Sequence, residues 1–190
     1  MDNYSIRAME WKAPQLIDYA VSIGLDSLFI TNLDAFENLD QNHLSEIKAR
    51  ATDHGLDLHA GTWSICPSAK RFRKDWGTAE EHLALGIRVA KALGSPIIRV
   101  VLGTFEDRDS PGGIEARIEE VVQVCKSQRS RALDADIKIA VENHAGDMRA
   151  RELVQLIEAA GRDYVGANID SGNAVWAMED PIENLKILAP

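Results

Sequence analysis

The 190-residue chain has few cysteines and no excess of positive charge. Cys66 and Cys125 stand far apart and match no metal-binding or redox spacing, which excludes a disulfide scaffold or a zinc ribbon and predicts a reducing, cytoplasmic setting. Twenty-one basic against thirty acidic residues leave a formal charge of −9, which argues against a nucleic-acid partner, since such partners require a basic face. No stretch approaches the roughly 18 apolar residues of a membrane span, and "MDNYSIRAMEW" at the start has no apolar signal-peptide core. No glycine-rich dinucleotide fingerprint follows any strand; "LGTFEDRDSPGG" has glycines at the wrong spacing. With 45% hydrophobic and 27% charged residues, the composition suits one soluble domain with a substantial core.

What the chain does have is a repeated phrase: an amphipathic helix, a glycine, a short polar link and an apolar strand. It reads "YAVSIGLDSLFIT" at 19–31, "KARATDHGLDLHAG" at 48–61, "RVAKALGSPIIRVVLG" at 88–103 and "IEAAGRDYVGANID" at 157–170. Gly24, Gly55, Gly94 and Gly161 are placed to end helices in the left-handed conformation. "SRALDADIKIAVENH" at 130–144 keeps the plan without a glycine. Helix starts are marked by Pro14, by a Thr78/Glu81 capping box, by Ser110-Pro111 and by Asp180-Pro181. Strands alternating with helices at this period predict a parallel α/β fold, with a TIM-type barrel favoured over an open doubly wound sheet. About six of eight βα units are expected, with "NYSIRAM" as the clipped end of the first strand and residues 1–190 as one domain, incomplete at its C-terminus.

Strand parity then singles out polar side chains. In "KIAVENH", Ala140, Glu142 and His144 share one face, opposite Ile139 and Val141. In "VGANIDSGN" the apolar Val165, Ala167 and Ile169 would pack on helices, leaving Gly166, Asn168 and Asp170 inward. In "LDLHAG" His59 points inward; Arg99 in "PIIRVVLG" is ambiguous by pattern. Adjacent strands thus deliver two carboxylates, Glu142 and Asp170, at the carboxyl end, where parallel α/β proteins build their sites. Unless protonated, such a pair requires a bridging cation: Mg²⁺ or Mn²⁺, or with histidine Zn²⁺ or Co²⁺. The plainer reading leaves both groups solvated and bonded to loop amides.

At these residues the sequence resembles the sugar phosphate isomerase/epimerase family with the xylose-isomerase-like barrel, on "VENHAGD", "RELVQLIEAAG" and "VGANIDSGNAV" followed by "DP". The resemblance implies a divalent metal held by a glutamate on the fifth strand, an aspartate on the sixth, a histidine on the seventh and a glutamate on the eighth. Glu142 and Asp170 match the first two. The other two would lie beyond Pro190, where the barrel period places a strand ending in histidine within about 20 residues. The resemblance further implies isomerisation or epimerisation of a sugar, sugar phosphate or cyclitol by proton transfer next to its carbonyl through an enediolate, with Glu142 as ligand and general base. His59, Trp63, Arg99, His144 and Asn173 are the candidates for contact with a small carbohydrate substrate, although a structural role is the plainer reading for His59 and an even alternative for His144, and Asn173, like Asn143, more readily shapes its strand-end loop.

The loop "GTWSICPSAKRFRKDWG" adds Lys70, Arg71, Arg73 and Lys74 between Trp63 and Trp76. It reads either as a phosphate-holding loop over the barrel mouth or as a solvated loop with aromatic anchors. Three alternatives compete with the isomerase: a dehydratase using the same metal and proton abstraction, an abasic-site endonuclease, and a non-catalytic partial barrel that binds without turnover. Five histidines and the acidic balance fit the endonuclease poorly. A partial barrel would also leave strand edges unpaired, which favours either the longer chain or a homo-oligomer.

Overall fold

Five parallel strands form and pair strictly in sequence order, as right-handed βα repetition requires. The computed structural model describes residues 1–189. Its elements are α1 (Ala13–Ser22), β1 (Ser27–Ile30), α2 (Gln41–Asp53), β2 (Asp57–Ser64), α3 (Ala79–Leu93), β3 (Ile97–Val101), α4 (Gly113–Ser127), α5 (Arg129–Ala135), β4 (Lys138–Glu142), α6 (Ala150–Ala160), β5 (Val165–Asn168) and α7 (Pro181–Leu188). The alternation confirms the α/β class.

Three expectations are corrected. "NYSIRAM" is a 3-10 helix over Asn3–Met9, and only Asp2 keeps strand character, as a single parallel bridge to Phe29. The cause is local: the Asp2 carboxylate accepts the Ser5 N–H at 2.9 Å, which starts the helical turn immediately after the bridge. The helix expected at Ser110-Pro111 begins instead at Gly113, because Gly112 and Gly113 both take positive φ (85° and 66°) and close a separate turn first. Gly161, expected to end α6 in the left-handed helical conformation, takes φ 129° and ψ 113° instead, an open geometry that only glycine adopts readily. The other signals hold. The Thr78/Glu81 capping box forms, Asp180 caps α7, and Gly24, Gly55 and Gly94 take φ of 71°, 66° and 78°. Where the fifth repeat lacks a glycine, Asp136 takes the left-handed position at φ 57°, one of the few residues that tolerates it.

The core lies between the helices and one face of the sheet. Leu28, Ile30, Leu58, Ala60, Ile98, Val100, Ile139 and Val141 are all buried there against residues such as Leu16, Leu83, Ile87 and Leu153. Burial of each larger apolar side chain contributes about 1.5–3 kcal/mol. The opposite face carries Gly61, Arg99, Val101, Ala140 and Glu142, and this polar inner face is where the candidate site lies.

Candidate functional site

Register decides what meets what on the inner face. Arg99 pairs with Gly61 on one side and Ala140 on the other, and Glu142 pairs with Val101 and Asn168. Arg99 is therefore diagonal to Glu142 on the same face, within reach of a long side chain. Its Nε donates to Glu142 Oε2 at 2.6 Å, and its Nη1 donates to the Thr62 carbonyl at 3.1 Å. Both side chains are almost fully enclosed, 5% and 8% exposed. The ambiguous facing of Arg99 is thus resolved inward, and its partner is a carboxylate.

The second carboxylate is held by a different device. Asn143, on the outer parity of β4, donates Nδ2 to the Asp170 carbonyl and accepts the Asp170 N–H at Oδ1, both at 2.8 Å. This reciprocal clasp ties the end of β4 to the first turn after β5. Asp170 Oδ1 then accepts the backbone N–H groups of Gly172 and Asn173 at 2.8 and 3.1 Å. The remaining oxygen, Oδ2, accepts from Asn173 Nδ2 at 3.0 Å, and the same nitrogen lies 3.3 Å from Glu142 Oε1. One amide group therefore stands between the two carboxylates. Asn168 adds a further donor to Glu142 Oε2 at 3.1 Å.

His144 closes one side. Its Nδ1 lies 2.7 Å from the Gly103 carbonyl, and its ring meets Trp63 edge-on with centroids 5.6 Å apart. Burial, reinforced by the Arg99 charge, pushes its pKa below the ordinary histidine range, which favours the neutral imidazole. Under it, Asp147 is wholly buried and accepts the N–H groups of Gly103, His144 and Met148 at 3.0, 2.9 and 2.6 Å. Burial pushes this carboxyl up to about 8, against those three donors, which favour its charged form.

Together these groups border a cavity of about 700 Å³, a size that suits a small organic ligand. Of the residues expected at the site, Trp63, Arg99, Glu142, His144, Asp170 and Asn173 line it. His59 does not: it sits two positions before Gly61 on β2, deeper toward the amino ends of the strands. Sequence reading placed Asn168 inward but gave it no role at the site, and it missed Trp176, which no periodicity flags because it lies in the 3-10 turn Asn173–Ala177. Of the basic loop only Trp63 borders the cavity. Arg71 pairs with Glu106 at 3.1 Å, Arg73 with Asp34 and Asp75, and none of Lys70, Arg71, Arg73 and Lys74 lines the cavity.

Residues 17–190 match the model of the xylose isomerase-like TIM barrel family, and the chain belongs to that family. Among curated relatives it is 21% identical over 174 residues to 3-oxo-isoapionate decarboxylase of Pectobacterium atrosepticum, covering 92% of this chain and 56% of that one. Among solved structures it is similar to a D-psicose 3-epimerase determined in the presence of D-fructose: TM-score 0.72, 16% identity, 94% of this chain and 64% of that one. It is similar also to the IolI protein with a bound zinc atom: TM-score 0.71, 19% identity, 92% of this chain and 63% of that one. At these identities the structural likeness establishes the fold. The chain spans about half the length of the curated relatives it matches. No helix among the described residues is long and apolar enough to cross a membrane.

Proposed function

We propose that this chain supplies one half of a metal-dependent centre that isomerises or epimerises a small carbohydrate, a sugar or cyclitol, by moving a proton next to its carbonyl. The observation that carries this reading is the convergence of Glu142 and Asp170 on the single Asn173 amide at the mouth of the strands. Two hard oxygen donors facing one polar point fit a divalent cation such as Mg²⁺, Mn²⁺, Zn²⁺ or Co²⁺. They would be two ligands of a larger set; among the described residues no group of three His, Cys, Asp or Glu is close enough to hold an ion by itself. A cation held there would supply electrophilic stabilisation of the negative charge that builds on a carbonyl oxygen.

The chain's own residues divide the remaining work. Arg99 occupies Oε2 of Glu142 and fixes the carboxylate plane, leaving Oε1 directed at Asn173 and the cavity. Glu142 is in this way oriented to take a proton from a substrate carbon seated in the cavity. Asn143 places Asp170 through its backbone, so the aspartate's position depends little on its own rotamer. His144, neutral and held at Nδ1, presents its other nitrogen as a hydrogen-bonding group for a substrate hydroxyl.

The test pairs cation binding with turnover in the protein that carries this chain. Asp170→Asn removes one ligand charge at a half-exposed position without leaving a buried ion unpaired. We expect it to weaken Mn²⁺ binding, measured by calorimetry, by about tenfold or more and to abolish epimerisation of a ketose. Unchanged Mn²⁺ affinity in a folded Asp170→Asn protein would remove the metal-centre reading.

A further inference from the structure

The turn from His144 to Asp147 is tied down beyond what a loop of its length requires. Asp147 donates its N–H to the His144 carbonyl at 2.9 Å, which already closes the turn. Inside it Ala145 and Gly146 both take positive φ, 44° and 75°, and for Ala145 this left-handed backbone is sterically costly. The path returns the Asp147 side chain to His144, where Oδ1 accepts the His144 N–H at 2.9 Å and the Met148 N–H at 2.6 Å. Arg108, itself paired with Glu152 at 2.7 and 2.8 Å, donates to the Asp147 carbonyl at 2.8 Å.

The other carboxylate oxygen reaches a different strand. Asp147 Oδ2 accepts the N–H of Gly103, just past the end of β3, at 3.0 Å, and the carbonyl of the same Gly103 lies 2.7 Å from His144 Nδ1. The links close a ring that runs from the His144 amide to Asp147, from Asp147 to the Gly103 amide, and from the Gly103 carbonyl back to the His144 imidazole. A carbonyl oxygen can only accept, so the proton of the neutral ring sits on Nδ1 and leaves Nε2 with a lone pair. His144 lines the cavity, and the nitrogen it has left for a ligand is therefore an acceptor.

We propose that Asp147 is a positioning residue of this site. By holding the Gly103 and His144 amides on one carboxylate, it fixes the His144 ring with its proton on Nδ1 and keeps Nε2 as an acceptor. The ligand atom that meets Nε2 must donate, so the contact selects a hydroxyl over a carbonyl or ether oxygen at that point. The inference rests on the proposed function only in placing a ligand in this cavity.

The test reads the tautomer by ¹⁵N NMR of the imidazole rings at about pH 8.5, where an ordinary histidine is neutral, with no cation or ligand added. The His144 signals are identified by their loss in His144→Gln. The unsubstituted protein is expected to show a protonated Nδ1 and a proton-free Nε2. Asp147→Asn keeps an acceptor for His144 and Met148 but sets an NH₂ group against the Gly103 N–H, which frees Gly103. His144 should then lose the Nδ1–H form as its major state in favour of Nε2–H, the form that free histidine prefers. Scalar couplings across the hydrogen bonds should connect the Gly103 and His144 amide nitrogens to the Asp147 carboxyl carbon in the unsubstituted protein, a reading that does not require the variant to fold. A proton on Nε2 in the unsubstituted protein, missing couplings, or an unchanged tautomer in folded Asp147→Asn would each overturn the inference. If Mn²⁺ fails to bind while the Nδ1–H form is found and depends on Asp147, the isomerase reading falls and this one stands.

Discussion

Arg99 Nε and Glu142 Oε2 lie 2.6 Å apart on neighbouring strands, in a buried ion pair at the centre of the candidate site. The pair makes Glu142 a structural as well as a chemical residue. Removing either partner leaves a charge unpaired in a largely enclosed site, a cost of up to about 3–5 kcal/mol. Arg99→Met and Glu142→Gln should each lose stability of that order in urea unfolding. The double variant should lose clearly less than the sum. Strict additivity would show that the two charges are not coupled. A loss of turnover in Glu142→Gln alone is accordingly ambiguous, which is why the metal test uses Asp170.

Asn143 predicts a second separation of roles. It touches no cavity surface, yet its two 2.8 Å bonds fix Asp170. Asn143→Ala leaves two backbone groups of Asp170 without their partner, a loss of about 1–3 kcal/mol. It should also weaken Mn²⁺ binding about tenfold. Measured together by calorimetry and urea unfolding, a stability loss with unaltered cation affinity would limit Asn143 to holding the loop.

Gly146 should tolerate no side chain. Its φ of 75° costs a non-glycine residue roughly 1–2 kcal/mol, and an added Cβ would meet the Trp176 backbone at 3.0 Å. Gly146→Ala is expected to lower the unfolding midpoint and to alter the emission of Trp176, read as the difference from the same change made in a Trp176→Phe background. A neutral substitution would mean that the two loops part easily.

His82 supplies a pH-dependent test away from the site. It is wholly buried on α3 with Nε2 2.5 Å from Thr62 Oγ1 and Nδ1 without a partner among the described residues. Burial, with the Arg73 charge, pushes its pKa from 6.5 down to about 4. Between these values the unfolded chain binds the proton and the folded one does not, so the stability His82 contributes is present above pH 6.5 and is lost as pH falls toward 4. Relative to His82→Gln, the protein should lose about 3 kcal/mol over that interval. Taking the difference cancels Asp147, whose raised pKa acts in the opposite sense. A constant difference, or a His82 NMR titration near 6.5, would contradict this.

The repeat, the helix stops and the strand faces were legible in the sequence because each depends on neighbours a few residues away. The two-residue period of a strand put Glu142 and Asp170 on the inner face before any pairing was known. Local capping chemistry was also decisive where local reading failed, since Asp2 turned the expected first strand into a 3-10 helix. What only the tertiary structure decided was who neutralises whom. Arg99 finds Glu142 across 43 residues of chain, and Arg73 finds Asp34 across 39, so the arginine whose facing the pattern left open points inward onto a carboxylate, and two arginines of the basic loop are paired with acids. Trp176 reaches the cavity because Gly146, thirty positions earlier, lets two loops touch. Periodicity carries no information about such meetings, because long-range charge pairing and backbone contact depend on strand register and loop closure, and those exist only once the sheet has formed.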